Sequence, residues 1–437
     1  MARPRSRPVH ESLRATLVAL VAATFGVALA LAAPLRSFTP PGMPEGTDFA
    51  LDQPERPRQV LRAEAQGGRQ SFLVALGNTA FSAPSLFGPR ARAAGLSCDT
   101  CHRQGHTNPR FFIPGLSARH GGLDPMTAFF NPMADDGVMN HVDIPSLRGV
   151  RYLAPYGRDG RIASLREFTR NVIVGEFGGA EPSPLILDAL VAYMEQFEFL
   201  PNRRIDRLGQ LTSGASDAEK RGQALFDQPF AGMAGRSCAS CHQPQAAFAD
   251  RQTYDVGSGG RFRPPTLLNA NFSAPYFHDG RFADYDAVVD HFDRTFSLAL
   301  SATDKADLIA YLKALGDGEE PLEPVTRQNE MSELAAYVAV LDRALVAKDL
   351  VAIDLVVDTV NHDLRRIAVR FDNRDPRTGR PRRPDRPDVA RIATDLVGLM
   401  SAVGKKAGAG DVAGAQDALR AYRARATALV ASYPQSN

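Results

Sequence analysis

The chain has 437 residues, 44% of them hydrophobic and 23% charged, with a formal net charge of +2. That length holds two or three domains with full cores, and the composition is that of an ordinary globular protein. So small a net charge on so long a chain argues against nucleic acid and against any strongly polar partner.

The first segment reads as targeting sequence. Arg3, Arg5, Arg7 and Arg14 form a basic flank, an apolar run follows from about Ala15 to Ala33, and Pro34 closes it. Ala28, Ala30 and Ala32 offer A-x-A cleavage sites. Residues 1–34 are thus expected to be a signal peptide or, given the length of the run, an uncleaved membrane anchor. Both place the rest of the chain outside the cytoplasm. Residues 35–68, rich in Pro, Gly and charge, read as a linker.

Two similar segments follow, about 69–205 and 206–320. Each carries Cys-x-x-Cys-His: Cys98-Asp-Thr-Cys101-His102 and Cys238-Ala-Ser-Cys241-His242, which together use all 4 cysteines. Downstream, Ala154-Pro-Tyr-Gly-Arg-Asp-Gly-Arg161 matches Ala274-Pro-Tyr-Phe-His-Asp-Gly-Arg281 at an offset of 120 positions. Pro145-Ser-Leu and Pro265-Thr-Leu share that offset. The cysteine motifs are offset by 140, so the first repeat carries about 20 extra residues between its motif and this turn. Upstream, Gly77-x-x-x-Phe81 matches Gly222-x-x-x-Phe226, and at the far end Leu190-Val-Ala-Tyr193 matches Leu308-Ile-Ala-Tyr311. Ser216-x-x-Glu219 is a capping box that opens a helix. A glycine recurring where a first helix crosses a last helix bearing an aromatic lets the ring rest on backbone, whereas an incidental helix glycine costs about 1 kcal/mol for nothing.

Beyond Pro321 the cysteines stop and Ala, Leu and Val recur at helical spacing. Helices are expected near 323–347, 349–371, 388–407 and 411–432, with Asp388 and Asp411 as N-caps and Gly408 and Gly410 as a stop. Residues 321–437 thus read as a four-helix bundle. The basic, proline-rich stretch from Arg374 to Arg391 reads as a solvated loop, its charge diluted by Asp375, Asp385 and Asp388. The expected fold class is mainly α, two tandem cytochrome c domains followed by the helical bundle.

Cys-x-x-Cys-His is the c-type haem attachment signature. The two thiols add across the haem vinyl groups, and the adjacent histidine binds iron from the proximal side. Zinc sites and redox dithiols also use Cys-x-x-Cys, but a zinc pair closes a loop of roughly 15–20 residues. Here the pairs stand 140 positions apart and a histidine follows both. The expected cofactors are therefore two covalently attached haem c groups, held by Cys98 and Cys101 and by Cys238 and Cys241, with His102 and His242 as metal ligands. Distal ligands stay open among His120 and His141 in the longer first loop, Met126, Met133 and Met139 in the same loop, and His278 and His291 in the second repeat. Arg161 and Arg281 are expected to pair with haem propionates.

The motifs, with Pro265-Thr-Leu-Leu-Asn269 and Asp307-Leu-Ile-Ala-Tyr-Leu-Lys-Ala-Leu315, give a chain that resembles the bacterial di-haem cytochrome c peroxidase family, which includes the di-haem enzymes that mature tryptophylquinone cofactors. The resemblance covers about 75 to 320. It implies that the N-terminal haem reacts with hydrogen peroxide and that the C-terminal haem is the electron entry. It implies a small redox donor, a cytochrome c or a cupredoxin, a periplasmic location, and often a homodimer. It places the catalytic acid–base glutamate near Glu176, the displaceable histidine at His141, and a calcium ligand at Asp143. Two departures stand out. Arg158 occupies the place of the family's inter-haem tryptophan, and Phe292 that of the second distal ligand, leaving adjacent His291 as the substitute metal ligand. Three functions compete: a peroxidase, a di-haem electron carrier without peroxidase activity, and a protein-modifying oxidase. The missing tryptophan, and Phe292 where the quinone-maturing branch of the family has a tyrosine ligand, weigh against the third.

Overall fold

A computed structural model describes residues 39–51, 53–63, 70–371 and 387–433. The targeting segment and most of the Arg374–Arg391 stretch lie outside the described residues. Among the described residues no helix is long and apolar enough to cross a membrane.

Helices dominate, and the strands are two or three residues long. In chain order the elements are β1 (Glu55–Pro57), α1 (Phe72–Phe81), α2 (Pro89–Ala94), α3 (Cys98–Cys101), β2 (Gly122–Leu123), β3 (Val142–Asp143), α4 (Leu165–Arg170) and α5 (Pro184–Met194). A π-helical turn, Asn171–Glu176, extends α4. The second repeat supplies α6 (Asp217–Asp227), α7 (Cys238–Cys241), β4 (Tyr254–Asp255), β5 (Arg261–Phe262), α8 (Tyr285–Phe296) and α9 (Ala302–Leu315). Then come β6 (Leu322–Pro324) and four long helices, α10 (Arg327–Ala347), α11 (Leu350–Phe371), α12 (Pro387–Gly408) and α13 (Val412–Ser432).

The two repeats share one packing device. A Cβ on Gly77 would lie 1.9 Å from the Ala189 carbonyl oxygen and 2.7 Å from Tyr193 Cβ; on Gly222 it would lie 2.0 Å from the Asp307 carbonyl oxygen and 2.8 Å from Tyr311 Cβ. Only glycine lets α1 meet α5, and α6 meet α9, this closely. The aromatics then interlock: Phe81 meets Tyr193 edge-on at 5.5 Å, and Phe226 meets Tyr311 at 5.2 Å. Such pairs add about 0.5–1.5 kcal/mol beyond the area they bury. Ser71 caps α1 through the Val74 N–H, and the Ser216–Glu219 box caps α6 as its spacing predicts.

The four C-terminal helices fall close to their expected bounds. Asp411 caps α13 through the Gly414 N–H. Asp388 lies in the first turn of α12 rather than at its cap. The first helix opens at Arg327, four residues later than its periodicity suggests, because Thr326 takes the cap and Leu322–Pro324 is drawn into β6. The partner of β6 is β1, with Arg56 opposite Glu323. The segment read as a linker is therefore not free chain. Met43, Thr47, Phe49 and Arg56 are buried, and Phe49 stacks on Phe111 at 5.4 Å. Apolar side chains scattered between Pro and Gly hid this in the sequence.

One apolar core runs without a break from the first repeat (Phe81, Leu96, Tyr193) into the bundle (Tyr337, Leu341, Val356, Leu396). The second repeat has its own smaller core around Phe226, Val289, Tyr311 and Leu315.

Candidate functional site

Both cysteine motifs form one short helical turn opened by a serine. Ser97 and Thr100 make a capping box at α3, and Ser237 and Ser240 make the same box at α7. The histidine that follows each turn is held from behind. His102 Nδ1 donates to the Pro145 carbonyl oxygen at 2.9 Å, and His242 Nδ1 lies 3.1 Å from the Pro265 oxygen and 3.0 Å from that of Phe248. Pro145 and Pro265 head the two matched Pro-Ser/Thr-Leu segments. A carbonyl accepts only, so the ring proton sits on Nδ1 and the lone pair is left on Nε2. Burial lowers the His102 pKa to about 4 and lowers that of His242 as well, so both rings stay neutral and able to bind metal.

All four thiols are free. Burial pushes Cys98 up to about 12 and Cys238 to about 11, and raises Cys101 and Cys241 in the same direction. Two unpaired, neutral thiols one turn apart and a neutral imidazole presenting Nε2 fit a haem c at each motif. Among the described residues no three His, Cys, Asp or Glu side chains gather into a metal-holding group, so the cysteine pairs are not brought together as zinc would require.

Glu176 ends the π-helical turn and is buried. Turns of this type are frequent at functional sites. Burial pushes its carboxyl above the usual carboxylate range, against the pull of Arg161, whose guanidinium is 3.7 Å away. The matching approaches of Gly88 to the Phe177 carbonyl oxygen and of Gly232 to the Phe296 carbonyl oxygen pair Phe177 with Phe296, so the second repeat has the exposed Thr295 where the first has Glu176, and its Phe296 stacks on Phe292 at 6.1 Å. Arg161 is half-exposed and also pairs with Asp159, while Arg281 pairs with Asp279 and donates to the Ser258 carbonyl at 2.8 Å. Each guanidinium is thus tied first to the aspartate of its own turn.

Of the expected distal histidines, His291 is bonded at Nε2 and His141 only at Nδ1. His141 Nδ1 accepts from the Ala118 N–H at 3.2 Å, which puts the proton on Nε2. That Nε2 is buried without a partner and faces Gly122, whose Cβ would lie 2.6 Å from it. His291 Nε2 donates to the Val256 carbonyl at 2.7 Å, and its ring is walled by Phe277, Phe282 and Phe292. Neither ring presents an Nε2 lone pair in this arrangement. His120 bonds to the Arg110 carbonyl and packs on Phe112, and Met126, Met133 and Met139 are exposed.

Asp143 does not present a calcium site. It is buried, and its carboxylate Oδ2 and carbonyl oxygen both accept from Arg158, at 2.7 and 2.6 Å. A guanidinium already supplies the positive charge that calcium would bring. Burial still wins over Arg158 and raises the Asp143 carboxyl to about 7. Around this pair the repeats are sewn together: Asp143 N–H to His278 O at 2.9 Å, Arg263 N–H to Arg158 O at 2.9 Å, and Arg263 Nη1 to Leu153 O at 2.6 Å. His106 spans the same seam, with Nδ1 at 2.8 Å from Ser146 Oγ and Nε2 donating to Phe272 O at 2.8 Å. Sequence reasoning left His106 and Arg263 without a role. The offset repeat signals which turns face each other, but not which side chains cross between them.

A mainly helical fold with two histidine-bearing cysteine turns, each histidine held by a repeat proline, defines a chain built like a di-haem c-type cytochrome. Sequence comparison agrees. A family model described as "Di-haem cytochrome c peroxidase" matches residues 217–351. The methylamine utilization protein MauG of Methylorubrum extorquens is 27% identical over 304 residues, covering 55% of this chain and 77% of that protein. Hydrazine synthase subunit gamma of Kuenenia stuttgartiensis is 27% identical over 249 residues, covering 42% and 67%. Cytochrome-c peroxidase IdrP1 of a Pseudomonas species is 28% identical over 174 residues, covering 26% of this chain and 44% of that protein. A solved hydrazine synthase structure from Kuenenia stuttgartiensis has 24% identity over 56% of this chain and 88% of that chain, with a TM-score of 0.41. The chain is thus a relative of the di-haem cytochrome c peroxidases, and an oxidoreductase of that kind.

Proposed function

We propose that this protein is a di-haem peroxidase that reduces hydrogen peroxide to water with electrons from a small redox protein, a cytochrome c or a cupredoxin. Haem c would be held through thioethers at Cys98 and Cys101 and at Cys238 and Cys241, with His102 and His242 as its iron-binding histidines. Bound there, the haems would supply redox-active iron and relay the donor's two electrons. The overall balance is H2O2 + 2 H+ + 2 e− → 2 H2O. The protons are this chain's task.

The observation that carries the reading is the asymmetry at Glu176. The first repeat places a buried carboxyl, with a raised pKa, where the second repeat has the exposed Thr295. A carboxyl that keeps its proton toward neutral pH can deliver it to a departing hydroxide, and the nearby Arg161 stabilises the carboxylate left behind. The second repeat has no acid at the equivalent position, and its helix packs Phe292 on Phe296 instead. We therefore assign peroxide chemistry to the first repeat and electron entry to the second. The N-terminal segment supports export to the periplasm, as cleaved or anchored protein, and the family resemblance supports a homodimer.

Turnover of reduced cytochrome c with peroxide tests the reading. Steady oxidation by the wild type, lost on Glu176→Gln with both haems retained, is expected. A protein whose irons are both six-coordinate and that ignores peroxide is a di-haem electron carrier instead, and this reading fails.

A further inference from the structure

The bundle has no role in the reaction described so far, yet it touches the first attachment motif. Glu333 of α10 accepts from Gln104 Nε2 at 3.1 Å. Gln104 stands two residues after His102 and is held in the left-handed region at φ 53°. A non-glycine residue there persists only when its surroundings impose it. Two further contacts do so. The Gln104 backbone N–H donates to Asp99 Oδ1 at 2.8 Å, and Arg103 pairs with the other oxygen of Asp99, inside the cysteine turn itself. Glu333 is in turn anchored by the buried Arg56, 2.5 Å away, which also binds Glu323 at 2.7 Å. A small, largely enclosed polar cavity lined by Asp99, Arg103, Glu333, Tyr337 and Asp363 lies along this contact.

The second motif has none of this. At the 140-residue offset Ala239 replaces Asp99 and Pro244 replaces Gln104. Its apolar core is also separate from that of the bundle, whereas the first repeat shares one.

We propose that the C-terminal bundle is the seat of the first haem site, and that Glu333 is a positioning residue: through Gln104 it locks the backbone that follows His102 and so fixes the pose of the imidazole toward iron. Partners behind a metal-bound histidine set its orientation and its basicity. The device acts on one haem of the two, and it gives the two sites different electronic settings from nearly identical motifs. The inference rests on the reading that haem is attached at Cys98 and Cys101.

The test uses the full-length holoprotein and the Gln104→Asn variant. Asparagine tolerates the left-handed backbone, so the fold is kept, but it is too short to reach Glu333. Each haem's reduction equilibrium is followed by spectroelectrochemistry, with the first haem assigned by its loss in a Cys98→Ser/Cys101→Ser protein. Gln104→Asn is expected to shift the first haem's reduction equilibrium by about tenfold and to leave the second in place. Glu333→Gln, which keeps an acceptor for Gln104, is expected to preserve the first haem's value more closely than Glu333→Ala. An unchanged first haem, or equal shifts in both, overturns the inference while leaving the haem reading intact. A wild-type mass lacking haem at the first motif overturns the haem reading itself.

Discussion

His102 and Pro145 stand 43 residues apart in the chain and meet through a 2.9 Å hydrogen bond from imidazole Nδ1 to carbonyl oxygen. The same contact joins His242 to Pro265 at 3.1 Å. Duplication has thus preserved the acceptor that holds each imidazole in the metal-binding tautomer, as well as the cysteines in front of it.

Each cysteine pair should carry its own haem. Cys98→Ser/Cys101→Ser is expected to lower the mass by one haem and the Soret absorbance by about half, and Cys238→Ser/Cys241→Ser to do the same. Intact-protein mass spectrometry checks the count, and a variant that loses both groups at once contradicts independent sites.

Glu176→Gln is expected to slow peroxide turnover by about 10²–10⁴-fold with haem content unchanged. Because burial raises the carboxyl's pKa, the wild-type rate should persist above the usual glutamic acid range and fall as pH rises through the raised value. The sign for stability is the same. A folded pKa above the unfolded one gives stability that is full below the unfolded pKa and lost as pH rises through the folded pKa. Rate–pH profiles and denaturation at several pH values should both lose this limb in Glu176→Gln.

Gly77→Ala and Gly222→Ala should destabilise, although alanine is the better helix former by about 1 kcal/mol. The new Cβ would stand 1.9 or 2.0 Å from a carbonyl oxygen of the crossing helix. Overpacking of this kind costs about 1–3 kcal/mol, with backbone displacement at the upper end. Chemical denaturation midpoints measure it, and a neutral result would mean that the helices do not cross so closely.

Arg158, rather than calcium, should neutralise Asp143. Chelation is expected to leave spectra and stability unchanged, whereas Arg158→Leu, which leaves the buried Asp143 carboxyl without its partner, should cost about 3–5 kcal/mol. A chelator-induced loss of activity restored by calcium would refute the pairing.

His291→Gln should leave the second haem's spectrum unaltered, since glutamine can still donate to the Val256 carbonyl. A change of spin state in this variant, read by electron paramagnetic resonance, would mark His291 as a ligand after all.

Local chemistry alone determined a good deal. The haem motifs, the glycine–aromatic crossings, the Ser216–Glu219 cap and the four C-terminal helices all rest on short spacings, and short spacings survive folding because they depend on covalent neighbours and helix periodicity. The tertiary structure decided what depends on distant chain segments. It put Arg158 on Asp143, His106 on Phe272, β1 on β6 and Glu333 on Gln104. It also tied His291 Nε2 to the Val256 carbonyl and His141 Nδ1 to the Ala118 N–H, leaving His141 Nε2 buried without a partner. A histidine's protonation pattern depends on which donors and acceptors surround it in space, and those neighbours lie on other segments that no spacing in the sequence reveals.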